Sequence, residues 1–216
     1  LTGVCHHAGT CTRYTGTPGC GCCPELSSIR SRDLSRSTWS RKVEAYRRRH
    51  IHFVAVSRWL RLMASESSLM RGQRVDVIPN AFPVDSFHIE PRRSRAELGL
   101  PEGKKLIIMS AARLDTPVKG LDLAIDALNR LDRSDSAVLL VGALRNPHAL
   151  DGLHFPHIAY GAVSEPALLR ELYAHSTVLM STARYETLPT TLIEGQAAGC
   201  TPVAFDSSGQ CDIISN

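Results

Sequence analysis

Two carboxylates, Glu186 and Glu194, stand eight positions apart on either side of a predicted helix start at Pro189-Thr190-Thr191. Backbone N–H groups at a helix start can take an anion, and carboxylates on either side can accept hydrogen bonds from sugar or ribose hydroxyls. Upstream, the apolar run at 106–109 reads as a short buried strand, and Arg113 and Lys119 follow it before an amphipathic segment. The carboxyl end of such a strand is where open parallel sheets bind ligands. An arginine fork and a lysine point charge suit a diphosphate. Each feature alone also reads as a solvated surface: a loop glutamate, a helix glutamate and two loop cations.

The elements that must position these residues follow from periodicity. Strands are predicted at 106–110, 137–142, 157–160, 177–180 and 201–205, with helices at 119–131, 165–174 and 190–199. Leu121, Ala124, Ile125, Leu128 and Leu131 recur at helical spacing. Ser164 reads as an N-cap before Glu165 and Pro166. Strands alternating with helices predict an α/β unit around a parallel sheet. Before Pro101 a different unit is expected, with a basic helical stretch at 28–50, a strand at 52–56, a helix at 58–70 and a strand at 74–78. The proline- and charge-rich stretch 79–101 reads as a linker between the two.

Taken in order, several segments resemble the nucleotide-sugar glycosyltransferases of the GT-B fold known as glycosyl transferase group 1. They are R-L-D-T-P-V-K-G at 113–120, V-G at 141–142, Y-G-A-V-S at 160–164, E-T-L-P-T-T-L-I-E at 186–194 and A-A-G-C-T-P-V-A-F at 197–205. Upstream, I-P-N-A-F at 78–82 and the opening T-G-V-C-H-H continue the likeness. The resemblance implies an α/β chain of GT-B architecture, two Rossmann-like domains with parallel sheets. Residues 1–78 would be the end of an acceptor-binding N-terminal domain, 79–101 the linker, and 102–216 most of a donor-binding domain. It also implies a fragment lacking both ends, because relatives carry a histidine segment upstream of the opening motif, a role not given to His6 or His7.

By the same resemblance, Arg113 and Lys119 hold the donor diphosphate and stabilise the leaving group, and Glu186 hydrogen-bonds donor-sugar hydroxyls. Backbone groups of Thr187, Leu188, Pro189 and Thr190 assist at the sugar and phosphate, Glu194 holds the ribose, and Gly161 and Val163 flank the base. Thr187 stands where many relatives have glycine, and Gly195 where many have alanine. No cofactor is implied beyond the nucleoside-diphosphate sugar itself. No catalytic metal is expected either, since the two cations can neutralise the diphosphate.

Charge divides unevenly: residues 1–100 hold 16 Lys+Arg against 8 Asp+Glu, and 101–216 hold 9 against 13. The first half is therefore net +8 and the second net −4, with cations crowded at Arg30, Arg32, Arg36, Arg41, Lys42 and 47–49. A solvated helix face, docking on an anionic membrane leaflet and nucleic-acid binding are all open on charge alone; beside the resemblance, nucleic acid is the least favoured partner. Five of the seven cysteines fall in a loop at 5–23. Cys5, Cys11, Cys20 and Cys23 are candidates for one structural zinc site, with free thiols or an occasional disulfide the other reading.

No apolar run approaches the roughly 20 residues of a membrane span, and no signal-peptide pattern opens the chain. A cytoplasmic protein is expected, with membrane contact only peripheral, at the inner face. There is no G-x-x-x-x-G-K-[ST] loop, G-x-S-x-G elbow or H-E-x-x-H helix. The combined expectation is a retaining hexosyltransferase acting on a glycan or lipid-linked glycan in bacterial surface polysaccharide synthesis. The alternatives are another GT-B enzyme, a phosphorylase or nucleotide-sugar epimerase, and a zinc-stapled basic nucleic-acid-binding module.

Overall fold

The computed structural model describes residues 11–49, 51–132 and 134–214. The chain divides into two units, Leu1–Asn80 and Ala81–Asn216.

In the first unit a helix, α1 (Leu34–Arg47), is followed by strand β1 (His52–Ala55), helix α2 (Arg58–Glu66) and strand β2 (Arg74–Val77). β1 and β2 pair in parallel, His52 opposite Arg74 and Ala55 opposite Val77. Both helices start at side-chain caps of the expected type: Asp33 accepts from the Arg36 amide at 3.1 Å, and Ser57 from the Leu60 amide at 3.1 Å. Trp39 is buried on α1 and donates its indole N–H to the Ser68 hydroxyl at 3.1 Å.

Hydrogen bonds to this framework hold the described part of the cysteine loop. Asp33 accepts from the Cys23 amide at 2.8 Å and the Ser35 hydroxyl at 2.6 Å, and Cys22 donates its amide to the Arg30 carbonyl at 2.8 Å. The Ser35 bond, then the Cys23 bond, hold the Asp33 carboxyl below the usual carboxylate range. Among the described residues no three His, Cys, Asp or Glu side chains stand together as metal ligands, so Cys11, Cys20 and Cys23 do not form the expected zinc centre there. Cys5 lies outside the described residues.

The second unit is a five-stranded, fully parallel sheet of order β5-β4-β3-β6-β7. Its strands are β3 (Lys105–Arg113), β4 (Ser136–Ala143), β5 (His157–Gly161), β6 (Val178–Ser181) and β7 (Thr201–Ala204); its helices are α3 (Leu121–Leu128), α4 (Pro166–Ala174) and α5 (Thr190–Ala197). Alternate residues of the central strands feed two cores. Leu106, Ile108, Ala137, Leu139 and Val141 join Leu172, Tyr173 and Leu192 on one face. Met109, Val138 and Leu140 join Leu114, Ala124, Leu128 and Phe155 on the other. Strands with both faces covered read as unbroken apolar runs, as 137–141 does.

Apart from helices α1, α2 and α3, which are shorter than the predicted 28–50, 58–70 and 119–131, three local readings differ. Residues 81–101 are not a bare linker: Phe87, Leu98 and Leu100 are buried in the sheet's core, with the Phe87 ring 6.3 Å from that of Tyr173. The segment's backbone and one of its charges are in use. Buried Glu171 accepts from the Arg92 amide at 3.0 Å, and the Arg95 guanidinium donates to the carbonyls of Pro101, Lys104 and His175. α4 is capped by Glu165 rather than Ser164, with Pro166 as its first residue and no side-chain cap bond. β3 runs on past 110 to Arg113, through an irregularity in its pairing with β4. Among the described residues, no helix is long and apolar enough to cross a membrane.

Candidate active site

The strand order reverses at β3: β4 and β5 lie on one side of it, and the chain then returns to place β6 on the other. The loops leaving the carboxyl ends of β3 and β6 therefore face each other at a topological switch point, the position where open α/β sheets bind ligands. The first loop carries Arg113 and Lys119, the second Glu186.

The β3 loop is shaped by a short 3-10 turn, Pro117–Lys119, that ends on Gly120 at φ 65°. A Cβ at Gly120 would run into the Thr182 carbonyl oxygen, so glycine permits both the left-handed backbone and the close approach of the β6 loop. Thr182 is buried, and its hydroxyl donates to the Gly120 carbonyl at 2.9 Å. Arg184 completes the stitching: its amide donates to Val118 O at 2.8 Å, and its guanidinium donates to Pro117 O at 2.6 Å and grips Asp122 at 2.6 and 3.0 Å.

Across this seam the Lys119 ammonium donates to Glu186 Oε1 at 2.5 Å, with both side chains mostly covered. The Glu186 backbone is fixed from behind by the turn after β7. Its amide donates to the Ser208 hydroxyl at 3.0 Å, and its carbonyl accepts from the Gly209 amide at 2.8 Å. Buried Gln210 accepts from the Ser181 hydroxyl at 3.1 Å and donates to the Ala183 carbonyl at 3.0 Å, tying that turn to β6.

Arg113 is held apart from this pair by a partner of its own. Asp115 accepts from Arg113 Nε at 2.6 Å and from the amides of Arg145 and Asn146 at 2.9 and 2.7 Å. Those bonds, the guanidinium's first, keep the Asp115 carboxyl well below its ordinary range. The Arg113 side chain remains 39% exposed, and Nη2 also donates to Asp115, at 3.3 Å.

Glu194 lies on α5, one turn inside the helix, and accepts from the Tyr173 hydroxyl at 3.0 Å. Burial raises its pKa, against the lowering pull of hydrogen bonds from Tyr173 and Thr190. The two glutamates thus sit on one loop–helix segment with different partners. Of the remaining expected site residues, Pro189 is the buried N-cap of α5 and Thr190 its exposed first residue, while Thr187 is exposed and Leu188 half-buried before it. Gly161 ends β5 at φ 85°, and Val163 packs against the core beyond it. Gly195 has a packing reason: a Cβ there would strike the Leu179 side chain, so α5 lies tight on β6.

Asp115, Thr182, Arg184, Ser208, Gly209 and Gln210 were not anticipated from sequence. Asp115 and Arg184 each sit two positions from a residue singled out, and that proximity is the only signal they carried. The cleft floor, lined by Ser110, Lys119, Thr182, Glu186 and Thr191, holds a cavity of about 20 Å³. That is room for one water, so a larger ligand would lie above it. The site can offer an anion a lysine ammonium, a partly free guanidinium and helix-start amides, and can offer hydroxyls two carboxylates.

A family model described as Glycosyl transferases group 1 matches residues 91–216. Solved structures share the fold. A glycosyltransferase from Rickettsia africae aligns at TM-score 0.64 and 23% identity, over 76% of this chain and 46% of its own. Anabaena HepE, solved in complex with UDP and glucose, aligns at TM-score 0.65 and 19% identity, over 83% and 51%. WaaG, a glycosyltransferase involved in lipopolysaccharide biosynthesis, aligns at TM-score 0.61 and 16% identity, over 88% and 55%. This chain spans about half the length of those structures, and no curated protein matches it. The α/β architecture with parallel sheets is that of the GT-B class. With more than half its residues matched by the family model, the chain belongs to the glycosyl transferases group 1 family.

Proposed function

We propose that the cleft between the β3 and β6 loops binds the diphosphate of a nucleoside-diphosphate sugar, and that the protein transfers that sugar with retention to a hydroxyl of a glycan or lipid-linked glycan. The observation that carries this reading is the Lys119–Glu186 contact at the switch point, which sets a phosphate-binding cation beside a hydroxyl-binding carboxylate. In the reaction, the acceptor oxygen bonds to the anomeric carbon on the face the diphosphate leaves. The carbon–oxygen bond to phosphate breaks with its electron pair going to the phosphate, and the hydroxyl proton passes to that departing oxygen. Lys119 and Arg113 stabilise the charge that develops there. Glu186 orients the sugar, Glu194 takes the ribose hydroxyls, and the backbone at Thr187, Leu188, Pro189 and Thr190 assists. Gly161 and Val163 flank the base.

On this reading residues 102–216 bind donor and residues 1–78 bind acceptor, in surface-polysaccharide assembly at the inner face of a bacterial membrane. The involvement of WaaG in lipopolysaccharide biosynthesis supports that setting. The UDP and UDP-glucose complexes of HepE support a uridine donor as the first to try. Calorimetric titration with UDP and GDP tests it. Saturable binding that weakens in both Lys119→Ala and Glu194→Ala is expected, whereas binding unchanged by either substitution contradicts the assignment.

A further inference from the structure

The first unit carries a concavity of about 510 Å³ that the donor cleft does not use. It lies at the amino ends of β1 and β2, where His52 and Arg74 face each other in register, and against the last turn of α1. Arg47, Arg48, Arg49 and Arg74 line it, all exposed, with Tyr46 on the wall. Two carboxylates answer four guanidiniums: Glu44 pairs with Arg48 at 2.6 Å, and Asp76 is shared by His52 at 2.6 Å and Arg74 at 3.1 Å. Among the described residues, Arg47 and Arg49 form no ion pair. A second concavity of about 150 Å³ adjoins it through Tyr46, Arg47 and Gln73, and adds Trp39 and Arg71.

A cation or two at the end of α1 would complement the helix dipole. Three consecutive arginines there and a fourth from the facing strand exceed that need. Guanidiniums converging on a hollow large enough for a small ligand suit phosphate oxygens, which they bind with paired N–H groups. We propose that this groove is an anion site for a ligand bearing at least two phosphate groups, presented on a soluble phosphorylated sugar or on a phospholipid headgroup.

The full chain would be titrated at roughly physiological salt, where diffuse attraction between exposed charges is screened beyond about 8 Å, with myo-inositol hexakisphosphate. In parallel it would be sedimented with vesicles containing phosphatidylinositol 4,5-bisphosphate against pure phosphatidylcholine. Two charge-matched variants are compared: Arg47→Gln/Arg49→Gln/Arg74→Gln in the groove, and Arg30→Gln/Arg32→Gln/Arg36→Gln outside it. Saturable binding of either probe that falls at least about tenfold in the groove variant and less than about threefold in the other supports the site. Which probe binds names the source of the phosphate. No saturable binding of either probe, or equal loss in both variants as a diffuse field for nucleic acid would give, overturns it.

Discussion

Two cation-bearing hollows of this chain, the cleft between the β3 and β6 loops and the arginine groove of the first unit, are built differently. In the cleft each charge is tied to a partner that aims it: Lys119 to Glu186, Arg113 to Asp115, Arg184 to Asp122. The backbones that carry them are fixed by buried Thr182 and Gln210. In the arginine groove the guanidiniums are exposed, and among the described residues two of the four lack a carboxylate partner. The first arrangement suits a site that must hold one geometry for chemistry. The second suits capture, in which charge density matters more than the placement of any one atom.

That contrast can be broken first through stability. Leu139→Ala on β4, at a fully buried position, is expected to cost about 2–5 kcal/mol in denaturant unfolding, whereas Arg47→Gln should stay within roughly 0.5 kcal/mol. Gly120→Ala combines a left-handed backbone with a collision at the Thr182 carbonyl. It should lower stability by about 1–3 kcal/mol and abolish nucleotide binding at concentrations that saturate the wild type. Both are read from melts beside titrations.

If Lys119 binds the diphosphate as proposed, Lys119→Ala removes a charged hydrogen bond worth about 1.5–3 kcal/mol, or roughly ten- to hundredfold in UDP affinity. Its melting temperature should hardly move, because the site gains its rigidity from the loop stitching rather than from the ammonium.

The smallest effect is a pH dependence. Burial raises the Glu194 pKa, so the native state keeps this proton to higher pH than the unfolded chain does. Stability is therefore lost as pH rises from the unfolded carboxylate value toward the raised native one. Glu194→Gln abolishes that loss, so its melting temperature should gain on wild type as pH rises above the unfolded carboxylate value of about 4, while its UDP affinity falls. Parallel melting curves above that value would show that Glu194 is not desolvated in the folded chain.

Much of this was legible in the residues. The apolar run at 137–141 announced a buried strand, and the sheet that followed brought Lys119 and Glu186 together from 67 positions apart. The end of β3 was not legible, because Ser110-Ala-Ala is a weak strand former and only pairing with β4 extends it to Arg113. Composition misled at 81–101, where the Arg95 guanidinium, which looks like a solvated linker charge, satisfies three carbonyls and the Arg92 amide meets a buried glutamate. Gln210 gave no warning at all. A buried amide that ties two loops has no periodicity, and its role exists only once β6 and the turn after β7 meet.

The most direct test of the central claim is a side-by-side UDP titration of wild type, Lys119→Ala and Arg47→Gln/Arg49→Gln/Arg74→Gln, each shown to be folded. If the switch-point cleft is the donor site, the lysine variant loses about tenfold or more and the arginine variant binds as wild type does. UDP affinity that survives in Lys119→Ala and is lost in the arginine variant would contradict that assignment and move nucleotide binding to the first unit.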